Sequence, residues 1–132
     1  MTIDNDNSLP KSMRILQPKA FKQVYANRQF GNSRFFTFNA LGDQQSLKLG
    51  ITVAKKVSKL AVQRNRVKRL VREHFRHNKH RVGNTHLVIT AKAGASSASN
   101  QELRDNLEEL WVKVGRWQRW LNNQNKGQQE SG

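Results

Sequence analysis

A chain of 132 residues with 36% hydrophobic content has the length of one domain and the apolar material for a modest core. Its 24 Lys and Arg against 9 Asp and Glu leave a formal charge of +15, which a compact domain sustains best beside a polyanion: nucleic acid or an anionic membrane. No run reaches the roughly 18 apolar residues of a membrane span, the opening MTIDNDNSLPK is acidic where a signal peptide is basic, and without cysteine there are no disulfides, thiolate nucleophiles or Cys-based zinc sites.

Residues 1–12 carry too few apolar groups to pack and are expected to be mobile, as is the polar tail 122–132; a single domain over 13–121 lies between them. Pro18 suits a first helical position, and Phe21, Val24 and Tyr25 follow at the spacing of one helical face, which predicts a short helix over 18–27. RFFTFNAL (34–41) and LKLGITVAKKV (47–57) read as strands joined through a turn containing Gly42 and Asp43, and so as an antiparallel pair. In the second, Leu49, Ile51 and Val53 share one face, leaving Lys48, Gly50, Thr52 and Ala54 on a small, polar face.

From 61 to 77 the period becomes helical: Val67, Leu70, Val71 and Phe75 fall on one arc, and Asn65, Lys68, Arg69, Arg72 and Arg76 on the other. THLVITAKAG (85–94) then reads as a buried strand. Ser99 with Glu102 forms a capping box for a last helix over 100–121, whose stripe of Leu103, Leu107, Leu110, Trp111, Val114, Trp117 and Leu121 is core, with Trp120 off its centre.

A solvated helix face normally intersperses acids among its bases, yet over 55–81 eleven basic residues meet only Glu73. That imbalance points to nucleic acid, and the preference for Arg on the helix suits phosphates of folded RNA. Phe21 and Tyr25 are either core or a stacking surface for unpaired bases. His74, His77 and His80 have the spacing for two metal ligands on one helical edge, but no carboxylate completes a set and the surrounding cations oppose a dication, so no metal is assigned to the protein. Between Asp43 and Glu102 there is one acid, which leaves two-carboxylate or two-metal nuclease chemistry without a seat; no residue is assigned as catalytic.

RNRVKRLVRE, preceded by LGITVAKKV, closely resembles the signature of the protein subunit of bacterial ribonuclease P; AFKQVY, RFF and LVITAKAG follow the family's order, so the resemblance spans roughly 15–112. It implies an α+β fold, an α/β sandwich: a small mixed sheet, a first short helix, a basic helix making a left-handed crossover between parallel strands, and a C-terminal amphipathic helix. It further implies a cytoplasmic holoenzyme that hydrolyses precursor transfer RNA to remove the 5′ leader, with a catalytic RNA and Mg2+ held mainly by that RNA. The implied partners are ribonuclease P RNA and precursor tRNA, with neither membrane nor DNA.

By matching positions, the resemblance assigns Arg64, Asn65, Arg66, Lys68, Arg69 and Arg72 to the RNA subunit, and Arg76 extends that helical face. Phe21, Tyr25, Thr52 and Lys56 are its candidates for a leader groove between first helix and open sheet face. Asn39 stands where relatives often carry an aromatic, on the strand face expected to hold Phe35 and Thr37 as well. The alternative readings are a ribosomal or RNA-assembly protein and, more remotely, a DNA-binding regulator.

Overall fold

The computed structural model describes residues 9–42 and 44–131, so the expectation for residues 1–8 and for Asp43 lies outside the described residues. Three helices, α1 (Pro18–Ala26), α2 (Ala61–Asn78) and α3 (Asn100–Ser131), accompany four strands, β1 (Gln29–Asn32), β2 (Phe36–Leu41), β3 (Lys48–Thr52) and β4 (His86–Ala91). The sheet is mixed, in the order β1-β2-β4-β3. β4 pairs antiparallel with β2 and parallel with β3, and α2 connects the two parallel strands.

This order corrects the expected hairpin. Residues 36–41 and 48–52 are both strands, but β4 lies between them, and the antiparallel neighbours of β2 are β1 and β4. β2 alternates in burial as a half-buried strand should, while β3 does not because Gly50 is covered by Phe21, and alternation in sequence is silent about which strand sits alongside. β1 was not anticipated, because a four-residue QFGN shows no usable period.

One sheet face carries the main core. Phe36, Phe38 and Ala40 of β2, Leu49 of β3, and Leu87, Ile89 and Ala91 of β4 meet Val67, Leu70, Val71 and Phe75 of α2 and Leu103, Leu107, Leu110, Trp111 and Val114 of α3. The other face is covered by α1 and by Ile15 of the segment before it: Val24 packs with Ile15 and Val88, flanked by Phe21 and Leu41. Gly50 makes that approach possible, since a Cβ there would lie 2.7 Å from the Phe21 ring.

The ends differ from expectation. Leu9 is 1% exposed and part of the main core, a 3-10 turn spans Lys11–Met13, and the Ile15 N–H donates to Leu49 O at 2.9 Å. The segment 9–12 therefore packs, because one leucine and a backbone bridge to β3 anchor it. The capping box at Ser99 and Glu102 forms with both reciprocal bonds, at 3.0 and 3.1 Å. α3 then runs on to Ser131 instead of ending near 121, since NNQNKGQQES contains no proline to stop it. Among the described residues no helix is long and apolar enough to cross a membrane.

Candidate nucleic-acid interface

The apolar arc of α2 is buried, which turns its other face outward: Asn65 and Arg69 are exposed, and Lys68, Arg72 and Arg76 are half-buried. Among the described residues the ion pairs are Arg81 with Glu108 and Lys113 with Glu109, so no cation from Arg64 to Arg76 has a carboxylate partner there. A surface of unneutralised guanidinium and ammonium groups on a rigid helix is suited to phosphates.

The RNR triplet does not act as one block. Arg66 turns inward: its Nη2 donates to Ser96 O and Ala98 O at 3.1 and 3.2 Å, its Nε to Gln63 Oε1 at 3.0 Å, and its Nη1 to Asn100 Oδ1. Arg64 Nη1 donates to Ser58 O at 2.8 Å, tying the helix start to the preceding loop. Asn65 alone of the three is exposed and makes none of these bonds.

Arg72 links the basic helix to the opposite sheet face. It lines a cavity with Arg14, Phe21, Leu49 and Gly50. Burial, then the neighbouring cations Arg14 and Arg69, lower its pKa; it remains a cation at neutral pH. Arg14 was not singled out in the sequence, where a lone arginine in SMRIL carries no signal. It enters because its Nε donates to Leu9 O at 2.6 Å, which holds it against the edge of β3.

α1 crosses the sheet from β3 toward β1. Phe21 sits over Gly50 of β3, Val24 packs on Val88 of β4, and Asn27 Nδ2 donates to Ala40 O of β2 at 2.9 Å. Phe21 is half-buried and Tyr25 is 41% exposed, so one aromatic is partly core while the other faces solvent. Beside the helix, Asn32, Thr37, Thr90 and Thr52 are successive cross-strand partners, forming a polar row through all four strands. Thr37 Oγ1 donates to Asn32 Oδ1 at 3.0 Å and Thr52 Oγ1 to Thr90 Oγ1 at 2.9 Å. Lys56 is exposed in the turn after β3. Phe21 and Thr52 thus lie on the same sheet face, with exposed Tyr25 one helical turn after Phe21 on α1 and Lys56 just beyond the end of β3.

Phe35 does not join Asn39 on this face. It is 7% exposed in the main core, because it precedes β2 and its N–H donates to Asn106 Oδ1 at 2.8 Å, drawing it under α3. The exposed aromatic on the open side is instead Phe30, in the unanticipated strand β1.

His74 is a structural histidine: Trp111 Nε1–H donates to its Nδ1 at 2.7 Å, and burial lowers its pKa. Among the described residues no cluster of three or more His, Asp or Glu has metal-holding geometry.

The family model described as Ribonuclease P matches residues 9–115. The ribonuclease P protein component of Pseudoalteromonas translucida is 41% identical over 110 residues, 83% of this chain and 79% of that one. The component from Vibrio campbellii is 37% identical over 113 residues, 85% of this chain and 96% of that one. The solved Staphylococcus aureus RNase P protein superposes with a TM-score of 0.72 at 26% identity, covering 79% of this chain and 95% of its own. The Thermotoga maritima RNase P protein shares the fold, with a TM-score of 0.68 at 23% identity over 76% of this chain and 96% of that one.

Proposed function

The chain belongs to the ribonuclease P protein family, and on that premise we propose that it holds the ribonuclease P RNA with one face and the 5′ leader of precursor tRNA with another. It is a component of an endoribonuclease holoenzyme. The observation that carries the reading is the cavity shared by Arg72 and Phe21, which joins the cationic face of α2 to the groove beside α1.

On this reading Asn65, Lys68, Arg69 and Arg72, with Arg76 at the far end, meet phosphates of the catalytic RNA. Neutralising phosphates where two RNAs converge lowers their repulsion and releases counterions, so the gain is largest when other cations are scarce. Phe21, Tyr25, Thr52 and Lys56 meet the leader, which is present in the precursor and absent from the mature product. Contacts confined to the leader favour substrate over product without strengthening product binding. The chemistry belongs to the RNA, with Mg2+ held mainly by that RNA. Family membership displaces the ribosomal or RNA-assembly alternative.

The test is cleavage of precursor tRNA at low magnesium by the catalytic RNA alone, the protein alone and the mixture. Cleavage restored only in the mixture is expected. Tight RNA binding with no restored cleavage would overturn the reading.

A further inference from the structure

We propose that Phe30 is a stacking platform for a base of the leader at the β1 end of the groove. The proposal rests on the leader-groove reading above and adds a residue on the far strand. Phe30 is 63% exposed, the most exposed aromatic among the described residues. In register it is the partner of Asn39, which continues to Val88 and then Gly50 across the sheet.

α1 covers that row unevenly. Phe21 seals Gly50 and Val24 seals Val88, but the helix ends at Ala26, leaving Asn39 half-buried and Phe30 open. Only Asn27 and Arg28 separate α1 from β1, and Arg28 takes a left-handed φ of 57°, so the chain reverses sharply and Phe30 lies close beyond the last turn that carries Tyr25. The adjoining row supplies Asn32 and Thr37 as polar neighbours.

A bare ring next to hydroxyl and amide groups, on a floor roughly 14 Å wide from β1 to β3, has the composition of a single-strand binding surface. The occupant is single-stranded RNA on grounds of charge: exposed Arg28 stands at the β1 end and exposed Lys56 beyond the β3 end, in a chain of net charge +15.

The experiment uses holoenzyme reconstituted with Phe30→Ala, Phe30→Tyr and Tyr25→Ala proteins. Affinity is measured for precursor tRNA with a long leader, precursor with a leader too short to cross the sheet, and mature tRNA. Phe30→Ala is expected to weaken the long-leader substrate about tenfold, the change produced by ~1.4 kcal/mol of base stacking, and to leave the other two ligands unchanged. Phe30→Tyr is expected to restore binding. If Phe30→Ala has no effect on the long leader while Tyr25→Ala does, the Phe30 assignment fails and the groove reading survives. If neither substitution matters, the groove reading fails with it. Equal weakening of all three ligands by Phe30→Ala would also overturn the proposal, marking a role in the fold.

Discussion

Arg66 donates to four acceptors within its own chain, three of them at the junction that starts α3, and it is half-buried. Two of those acceptors are main-chain carbonyls, which lose their partner if the fork is removed. Arg66→Ala is therefore expected to destabilise the fold by about 1–2 kcal/mol, and Arg66→Lys to recover only part, because an ammonium cannot span the same acceptors. Exposed Asn65→Ala should leave the unfolding midpoint unchanged within error. Urea titration of the three variants checks this; an Arg66→Ala protein as stable as the parent would show that the clasp contributes nothing. Helical phase sets Asn65 outward and Arg64 and Arg66 nearer the margins of that arc, but it says nothing of loop carbonyls arriving from thirty residues away. Helical spacing likewise cannot choose between core and surface for Phe21 and Tyr25; in the structure the first is half-buried and the second exposed.

At the scale of elements, α2 and α3 are joined by His74 and Trp111, whose rings stack with centroids 6.1 Å apart while Trp111 also packs edge-on against Phe75. The Trp111 N–H points at His74 Nδ1, so that nitrogen must be the unprotonated acceptor and the imidazole neutral. Burial depresses the His74 pKa, Glu108 partly opposes this, and Arg104, Arg81 and His77 add to the depression. A pKa lower in the folded chain than the ordinary value of about 6.5 means that the unfolded chain binds the extra proton. The helix pairing is thus fully stabilised above about pH 6.5 and weakens as pH falls through the depressed value. His86 has the same sign, from burial and then Lys48, and persists in a His74→Gln variant. Melting temperature should consequently fall less steeply from neutral to mildly acid pH in His74→Gln than in the parent; parallel curves would remove His74 from the account. Both helix cores were legible before the structure, because a period of 3.6 exposes a buried arc directly. Strand order was not: β4 pairs with strands distant in sequence on both sides, and no local period encodes a partner.

For the whole molecule, charge is the dominant property. With +15 spread over one domain and no carboxylate ion-paired to the cations of α2 among the described residues, association with RNA must release many counterions. Arg69→Ala combined with Arg72→Ala should reduce the slope of log affinity for the ribonuclease P RNA against log salt by ~1–2, as each lost phosphate contact removes ~0.7–0.9 from it. An unchanged slope, even with weaker binding, would move the RNA contact away from this helix. Net charge is readable from composition alone; that Arg64 and Arg66 are engaged by carbonyls of their own chain is readable only from the structure.

The sheet order also sets a schedule for biosynthesis. β4 is the strand that β2 and β3 both require, and it is the last of the four to be translated. Until residue 91 has left the ribosome, β2 can pair only with β1, and the edge of β3 destined for β4 has no ladder to join. Nascent chains of this topology pass through a stage with two open strand edges, a hazard for self-association. The intervening helix emerges during that stage with its cations already in place, and the mutual repulsion of such helices holds unfinished copies apart.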